Sequence, residues 1–309
     1  MKALTTAVAI FGLATAAAAQ TPASRTGLLA ERGLTAADFP QIKQLADNVY
    51  VWSDVHPSGL YTTNDLIVIT TDGVLVADGQ KDAATTKAMV DRIGTLTKQP
   101  IKYVIVGSEH GDHTGGNVSL PASATFVSSP YSKDNLTAQA KQDKPPQKTI
   151  VPTETVADRR VLHMGGTDIE VVYNGRAHTS GDLEVYLPKE KIFFASEAFS
   201  NHLFPQLRAC VPTEWVQTLG NIQKVDAAIL VPGHGFIDSP QVLKEEFAAF
   251  QQSLDFIIAT VTKLHNAGVP VETAQKQVDW GPYKAWPLAD QNGARAVQRV
   301  YDELDGKLK

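Results

Sequence analysis

At 309 residues, 43% hydrophobic and 20% charged, the chain is long enough for one large or two small domains with a real core. A formal net charge of −5, with no basic run or stripe, excludes a nucleic-acid binder held by phosphate contacts. Cys210 is the single cysteine, so an internal disulfide is excluded in any compartment, and the residue reads as a small buried apolar group.

Met1-Lys2 and the apolar stretch through Ala19 have the n-region and h-region of a secretory signal, with Ala17-Ala18-Ala19 as its small-residue cleavage site. Residues 1–19 are therefore expected to be a signal peptide, and the mature chain to start near Gln20. The run is too short to span a bilayer and lacks stop-transfer charges, so no membrane association is expected after cleavage. Cleavage leaves 290 residues, 27 basic against 33 acidic, because Lys2 is the only charge lost. The expected destination is periplasmic or secreted.

A polar stretch runs to about Pro40. Strand signals follow at 49–52, 66–69 and 74–77, the last two joined through Thr71-Asp72-Gly73, whose Asp-Gly pair favours a tight turn. Ala84, Ala88, Met89, Ile93 and Leu96 predict a helix over 82–97, and Tyr103-Val104-Ile105-Val106 predicts a buried strand. Residues 130–152, rich in Lys, Gln, Asp and Pro, read as a surface excursion. Further strands are predicted at 169–173, 183–187, 192–195 and 228–231. A long helix starts with Ser239 as N-cap and Pro240 at its first position; Gly268 closes it. A last helix is predicted near 291–305. Two successive groups of strands, each ending in helix, imply an α/β fold with two mixed sheets face to face and helices outside, in one domain over 20–309.

The chemistry concentrates in Gly107-Ser108-Glu109-His110-Gly111-Asp112-His113-Thr114-Gly115-Gly116-Asn117, directly after a strand. Imidazole nitrogens and carboxylate oxygens crowded on one loop suit zinc or iron better than calcium or magnesium. Gly115-Gly116-Asn117 read as close backbone packing. Three other polar donors also stand just past apolar strands: His178, Glu197 and His234 in Pro232-Gly233-His234-Gly235. Ends of neighbouring strands converge in space, so these groups can meet around one ion.

In these motifs the chain resembles the metallo-β-lactamase-fold superfamily of hydrolases. The family loop His-x-His-x-Asp-His corresponds to Ser108-Glu109-His110-Gly111-Asp112-His113, and its Gly-His-Thr-x-Gly to Ala177-His178-Thr179-Ser180-Gly181. Its Gly-Asp corresponds to Ser196-Glu197, and its Pro-Gly-His-Gly to 232–235; the matching order spans roughly 45 to 240. The resemblance implies an αβ/βα sandwich, one or two zinc ions, and the ligands His110, Asp112, His113, His178, Glu197 and His234. Ser108 stands where the family has its first histidine, and Glu197 where it has an aspartate bridging two metals. One position thus keeps only His110 and His178 as nitrogen donors, while Asp112, His113 and His234 make a complete set with room for water. One tight zinc is expected there, with a weaker second position. Glu109 is the alternative donor in the place of Ser108, although adjacent positions on an extended loop usually point apart.

Zinc lowers the pKa of a bound water to about 7. The resulting hydroxide would attack an acyl carbon while Asp112 or Glu197 handles protons. Asp78 is expected behind the ligands, orienting a histidine. His56, Tyr61 and His202 are expected in the substrate pocket; Trp52 reads as core, and His163 and His265 as surface or structural. The expected partner is a small-molecule substrate: a β-lactam, lactone, ester or thioester. Two alternatives stand beside this: an iron-dependent oxidoreductase of the same fold, and a non-catalytic binding protein with a degenerate metal site.

Overall fold

The computed structural model describes residues 25–308; the expected signal peptide, 1–19, lies outside the described residues. Among the described residues, twelve strands form two sheets. The first takes its strands in chain order: β1 (Gln41–Ala46), β2 (Val49–Val55), β3 (Thr62–Thr70), β4 (Gly73–Ala77), β5 (Ile101–Ile105), β6 (Thr125–Ser128) and β7 (Glu154–Thr155). The second comprises β8 (Arg159–Met164), β9 (Thr167–Val172), β10 (Glu184–Leu187), β11 (Ile192–Phe194) and β12 (Ile229–Val231), in reverse order across the sheet. Both sheets are mixed. β3 and β4 pair antiparallel through Thr70 and Gly73, as the Asp-Gly signal predicts; β4 to β7 run parallel, and so do β11 and β12.

The parallel pairs need crossovers, and helices supply them. α1 (Ala83–Leu96), capped by Asp82 whose carboxylate accepts from Thr85 N, links β4 to β5, and α4 (Pro212–Ile222) links β11 to β12. α5 (Pro240–Asn266), α6 (Val271–Gln277) and α7 (Ala289–Leu304) complete the outer layer on the second sheet. Alternation then sorts the apolar residues. Val49, Val51, Leu66, Val68, Leu75 and Ile105 meet Ile169, Val171, Val185, Leu187 and Phe194 between the sheets. The opposite faces pack outward: Ile67, Val76 and Val104 onto Met89 and Ile93 of α1, and Phe193 and Leu230 onto Trp215, Leu219 and Phe250. Residues pointing either way from β3 and β4 are buried, so their stretches 66–69 and 74–77 read as apolar runs. Trp52 and Cys210 are buried, as expected, and among the described residues no helix is long and apolar enough to cross a membrane.

The sequence reading of 130–152 needs correction. Its first half is a helix, α3 (Pro130–Ala140), with Ser129 as N-cap, Pro130 in the first turn and Leu136 fully buried. The Ser-Pro start is the same signal that marks α5 at Ser239-Pro240; here the polar composition downstream hides it. β1, β6, β7 and β8, and helices α4 and α6, also escaped the reading. β8 buries only Leu162 and Met164 in alternation, and its charged outer face masks the pattern. His163 and His265 pair with Asp168 and Asp305 at the surface.

Candidate metal centre

The proposed donors lie in the segments that follow β5, β9, β11 and β12. β5 ends at Ile105, and the next residues are caught by Asp78, which follows β4: Gly107 N donates to its Oδ1 at 2.7 Å and Ser108 N at 3.4 Å. His110 then caps a single helical turn, α2 (Gly111–Thr114), that carries Asp112 and His113. The turn is tied down by Thr114 Oγ1 donating to His110 O at 2.9 Å, and by Gly79 N donating to His113 O at 2.9 Å. Gly116 is required by close approach: a Cβ there would collide with Thr86 and the Asp82 carbonyl. His234 is positioned by the polar end of β3, where Thr63 bridges it and Thr62 Oγ1 donates to Gly235 O at 2.7 Å.

Three atoms form a nearly equilateral triangle. His113 Nε2 and His234 Nε2 are 3.3 Å apart, and Asp112 Oδ2 lies 3.4 Å from each. A tetrahedral ion with bonds of roughly 2.0–2.1 Å has edges of about 3.3–3.4 Å. The protonation pattern points the same way. His234 Nδ1 lies 3.1 Å from the Thr62 carbonyl, which only accepts, so the proton sits on Nδ1 and Nε2 presents a lone pair. His113 Nδ1 faces Asp78 Oδ2 at 3.1 Å, which likewise leaves its Nε2 bare. Asp112 Oδ2 is buried with no hydrogen-bond partner. Three converging lone pairs without a donor fit a cation between them, and the two-imidazole, one-carboxylate set suits zinc or iron. Without an ion, burial opposes charge on His113, yet Asp112, Asp78 and Glu197 overcome it and hold its pKa well above the imidazole range, so a proton on Nε2 is what a cation at this spot would displace. Their field favours positive charge at this spot.

A second group, His110, His178 and Glu197, adjoins the first. Glu197 links the two: its Oε1 lies 3.2 Å from His234 Nε2, 3.6 Å from His113 Nε2 and 3.5 Å from His178 Nε2, while its Oε2 lies 2.8 Å from His110 Nδ1. Burial drives His178 down to about 3 against the pull of Glu197, so it is neutral and free to ligate. Burial alone would raise Glu197, but His110, His178 and His113 hold it well below the carboxylate range. Ser108 is inside the site, its Oγ donating to Glu197 Oε2 at 2.5 Å. Glu109 is not. Its side chain points away and accepts from Ser132 Oγ at 2.7 Å, Asn135 Nδ2 at 2.8 Å and Thr179 Oγ1 at 3.3 Å, which removes it as an alternative donor.

At the mouth, His56 stacks on Tyr61 with ring centroids 4.2 Å apart, and its Nε2 lies 3.4 Å from Asp112 Oδ2. Burial, with His234 adding to it, lowers His56 to about 4. Tyr61 Oη lies 3.2 Å from His56 Nε2 and accepts from Gln206 Nε2 at 3.1 Å. His202 is elsewhere: its Nδ1 meets Glu246 Oε2 at 2.7 Å and its ring stacks on Trp286, so the pocket role expected of it is corrected to a contact with the helical layer. The sequence reading missed Arg208, whose Nη2 comes within 3.2 Å of His110 Nδ1, and Ser196, whose Oγ donates to Asp78 Oδ2 at 2.6 Å. Arg208 carried a signal, as the one cation in the apolar segment 203–210 downstream of Glu197.

Residues 92–234 match the family described as the metallo-beta-lactamase superfamily, a span that holds both donor groups. The chain is 27% identical over 202 residues to a metallo-beta-lactamase type 2 from Bacillus cereus, covering 63% of this chain and 76% of that protein. It is 25% identical over 210 residues to one from Bacillus sp. (strain 170), covering 65% and 79%. Among solved structures it is similar to a metallo-beta-lactamase from Pontibacter korlensis, with a TM-score of 0.60 and 22% identity over 69% of this chain and 99% of that one. TMB-1 gives 0.58 and 24%, covering 69% and 98%. These structures share the fold.

Proposed function

We propose that this chain, whose residues 92–234 match the metallo-beta-lactamase superfamily, is a zinc-dependent hydrolase that cleaves a small carbonyl substrate by means of an activated water. That match supports a metal-dependent hydrolase, and zinc, the substrate and the compartment are argued from the chain's own residues. The observation that carries it is the triangle of Asp112 Oδ2, His113 Nε2 and His234 Nε2 with its orphaned carboxylate oxygen.

These three residues would hold the ion, and a bound zinc would supply water activation near neutral pH and polarise the scissile carbonyl. Asp78 orients His113 and keeps the proton on its Nδ1. Asp112 and Glu197 line the same space and are the groups able to receive and return a proton. His56 and Tyr61 form one wall of the mouth. Arg208 stands exposed beside His110, with no carboxylate in ion-pair contact among the described residues, and faces an anionic group of the substrate. Acyl compounds bearing a carboxylate, among β-lactams, lactones, esters and thioesters, fit this arrangement. The secretory signature of 1–19 supports a periplasmic or secreted enzyme acting as one domain over 20–309.

The test is metal analysis of the purified protein beside turnover of chromogenic lactam, lactone and ester substrates. Zinc-loaded protein is expected to turn over at least one class, and His113→Ala to lose about a thousandfold or more, since losing several kcal/mol of metal assistance costs that much. Turnover that survives His113→Ala, or none on any substrate, would refute the proposal. A second reading, an iron-dependent oxidoreductase, rests on the same donors, because two imidazoles with a carboxylate at Asp112, His113 and His234, and again at His110, His178 and Glu197, suit iron as well as zinc. Iron instead of zinc in the purified protein would select it.

A further inference from the structure

Two residues depart from the family pattern, Ser108 and Glu197, and they touch. We propose that they are a matched pair that rebuilds the second cation position: Glu197 offers one carboxylate oxygen to each position, and Ser108 locks it there. The inference rests on reading the site as a metal centre.

Glutamate reaches about 1.5 Å farther than aspartate, one C–C bond length, and serine in place of histidine leaves the volume of an imidazole free on the facing loop. Glu197 uses that room. Its Oε2 reaches His110 Nδ1 at 2.8 Å, while Oε1 remains 3.2 Å from His234 Nε2 and 3.5 Å from His178 Nε2. The Ser108 hydroxyl accepts from His110 N at 3.3 Å, so its own hydrogen is directed to Glu197 Oε2 at 2.5 Å, the range of a charge-assisted bond. The second position thereby regains three donors, His110 Nδ1, His178 Nε2 and Glu197. Its missing imidazole is replaced by a carboxylate oxygen rather than by the serine. A carboxylate spanning two such groups suits two ions about 3.5–4 Å apart. Arg208 Nη2, 3.2 Å from His110 Nδ1, is the competing cation that an ion there must displace.

The experiment is a cobalt(II) titration of the chelator-treated full chain, with bound ions counted by equilibrium dialysis and elemental analysis. The expected result is two ions per chain. Ser108→Ala and Glu197→Asp should each weaken the second ion by at least about tenfold, the scale of losing an orienting partner, while the first changes little. The double variant Ser108→His with Glu197→Asp should restore the second ion, although each single change weakens it, which is the signature of coupling. Arg208→Ala should bind the second ion more tightly. Far-UV circular dichroism checks folding, and Ser108→Ala, which deletes only a hydroxyl, keeps the test valid if the bulkier variants misfold. One tight ion, indifferent to Ser108→Ala and lost in His113→Ala, would overturn the pair while leaving the metal centre standing. A second ion admitted only by Arg208→Ala would overturn it in favour of Arg208 as the resident cation. A chain that binds no ion would overturn both.

Discussion

The two halves of the site are built to different standards. Around Asp112, His113 and His234, each imidazole has its far nitrogen engaged, by Asp78 and by the Thr62 carbonyl. Both Asp78 and Ser196 adopt positive φ, 66° and 44°, a conformation costly for residues with a Cβ. That strain is held in place by the bond from Ser196 Oγ to Asp78 Oδ2 and by the close packing of Gly107 on both residues. Around His110 and His178 the supports are fewer. His110 Nδ1 meets Glu197 and Arg208, and the loop bearing His178 rests on a cluster of buried carboxyl groups. Groups that orient metal ligands set affinity nearly as much as the ligands themselves, so the better-supported half is the one expected to hold an ion more tightly.

Removing the support from the strong half should erase the contrast. Asp78→Asn keeps the shape but replaces an acceptor of three hydrogen bonds from Gly107, Ser108 and Ser196 and weakens the hold on His113. Affinity for the first ion is expected to fall by about 10- to 100-fold, read by competition with a chromogenic chelator. An unchanged affinity would mean the two halves differ in ligands alone. A smaller effect is expected at the open half. With both metal positions saturated, so that occupancy is the same in parent and variant, Arg208→Ala should raise KM about tenfold for substrates carrying a carboxylate, the worth of one hydrogen bond to a charged group, with kcat nearly constant. Neutral esters should show no change; an equal rise for both would remove Arg208 from substrate recognition.

The same contrast explains what the sequence made legible. The loop 107–117 and His234 announce themselves because each donor follows an apolar strand and is flanked by glycine, a local pattern. Asp78 stands out in the same way, directly after β4. Ser108 and Glu197 could be recognised as departures, but their contact could not: 89 residues separate them, and they meet only where the segment after β5 packs on the segment after β11, Gly107 against Ser196. Glu109 was ambiguous for a similar reason. Its direction is decided by Ser132 and Asn135, on a helix that polar composition concealed. Arg208 and His202 illustrate the limit from both sides. They lie in one connecting segment, and which of them turns toward the metal centre depends on Glu246 and Trp286 holding the other.

The smallest effect concerns the ground beneath His178. Asp182 is fully buried, accepts from Thr179 N at 2.7 Å and Thr179 Oγ1 at 2.5 Å, and shares that hydroxyl with Glu109 Oε2. Burial first, then the charges of Glu197 and Glu109, push its carboxyl up to about 8. In the unfolded chain it titrates near 4. Between those values the folded protein keeps a proton that the unfolded chain has released, so the share of stability that Asp182 contributes falls as pH rises from about 4 to 8 and levels off above, while His56 and His178, lowered to about 4 and 3, add an opposite slope below about 6.5 in parent and variant alike. Asp182→Asn imitates the neutral acid at every pH and should remove this share of the slope. Asp65 and Glu184, also buried and also raised, stay in place, so the variant should be less sensitive rather than insensitive. The measurement is the melting temperature of chelator-treated protein at pH 5 and pH 8.5. A drop in Asp182→Asn as large as in the parent would mean that Asp182 is already ionised in the fold, and that the His178 loop rests on charge rather than on a protonated acid.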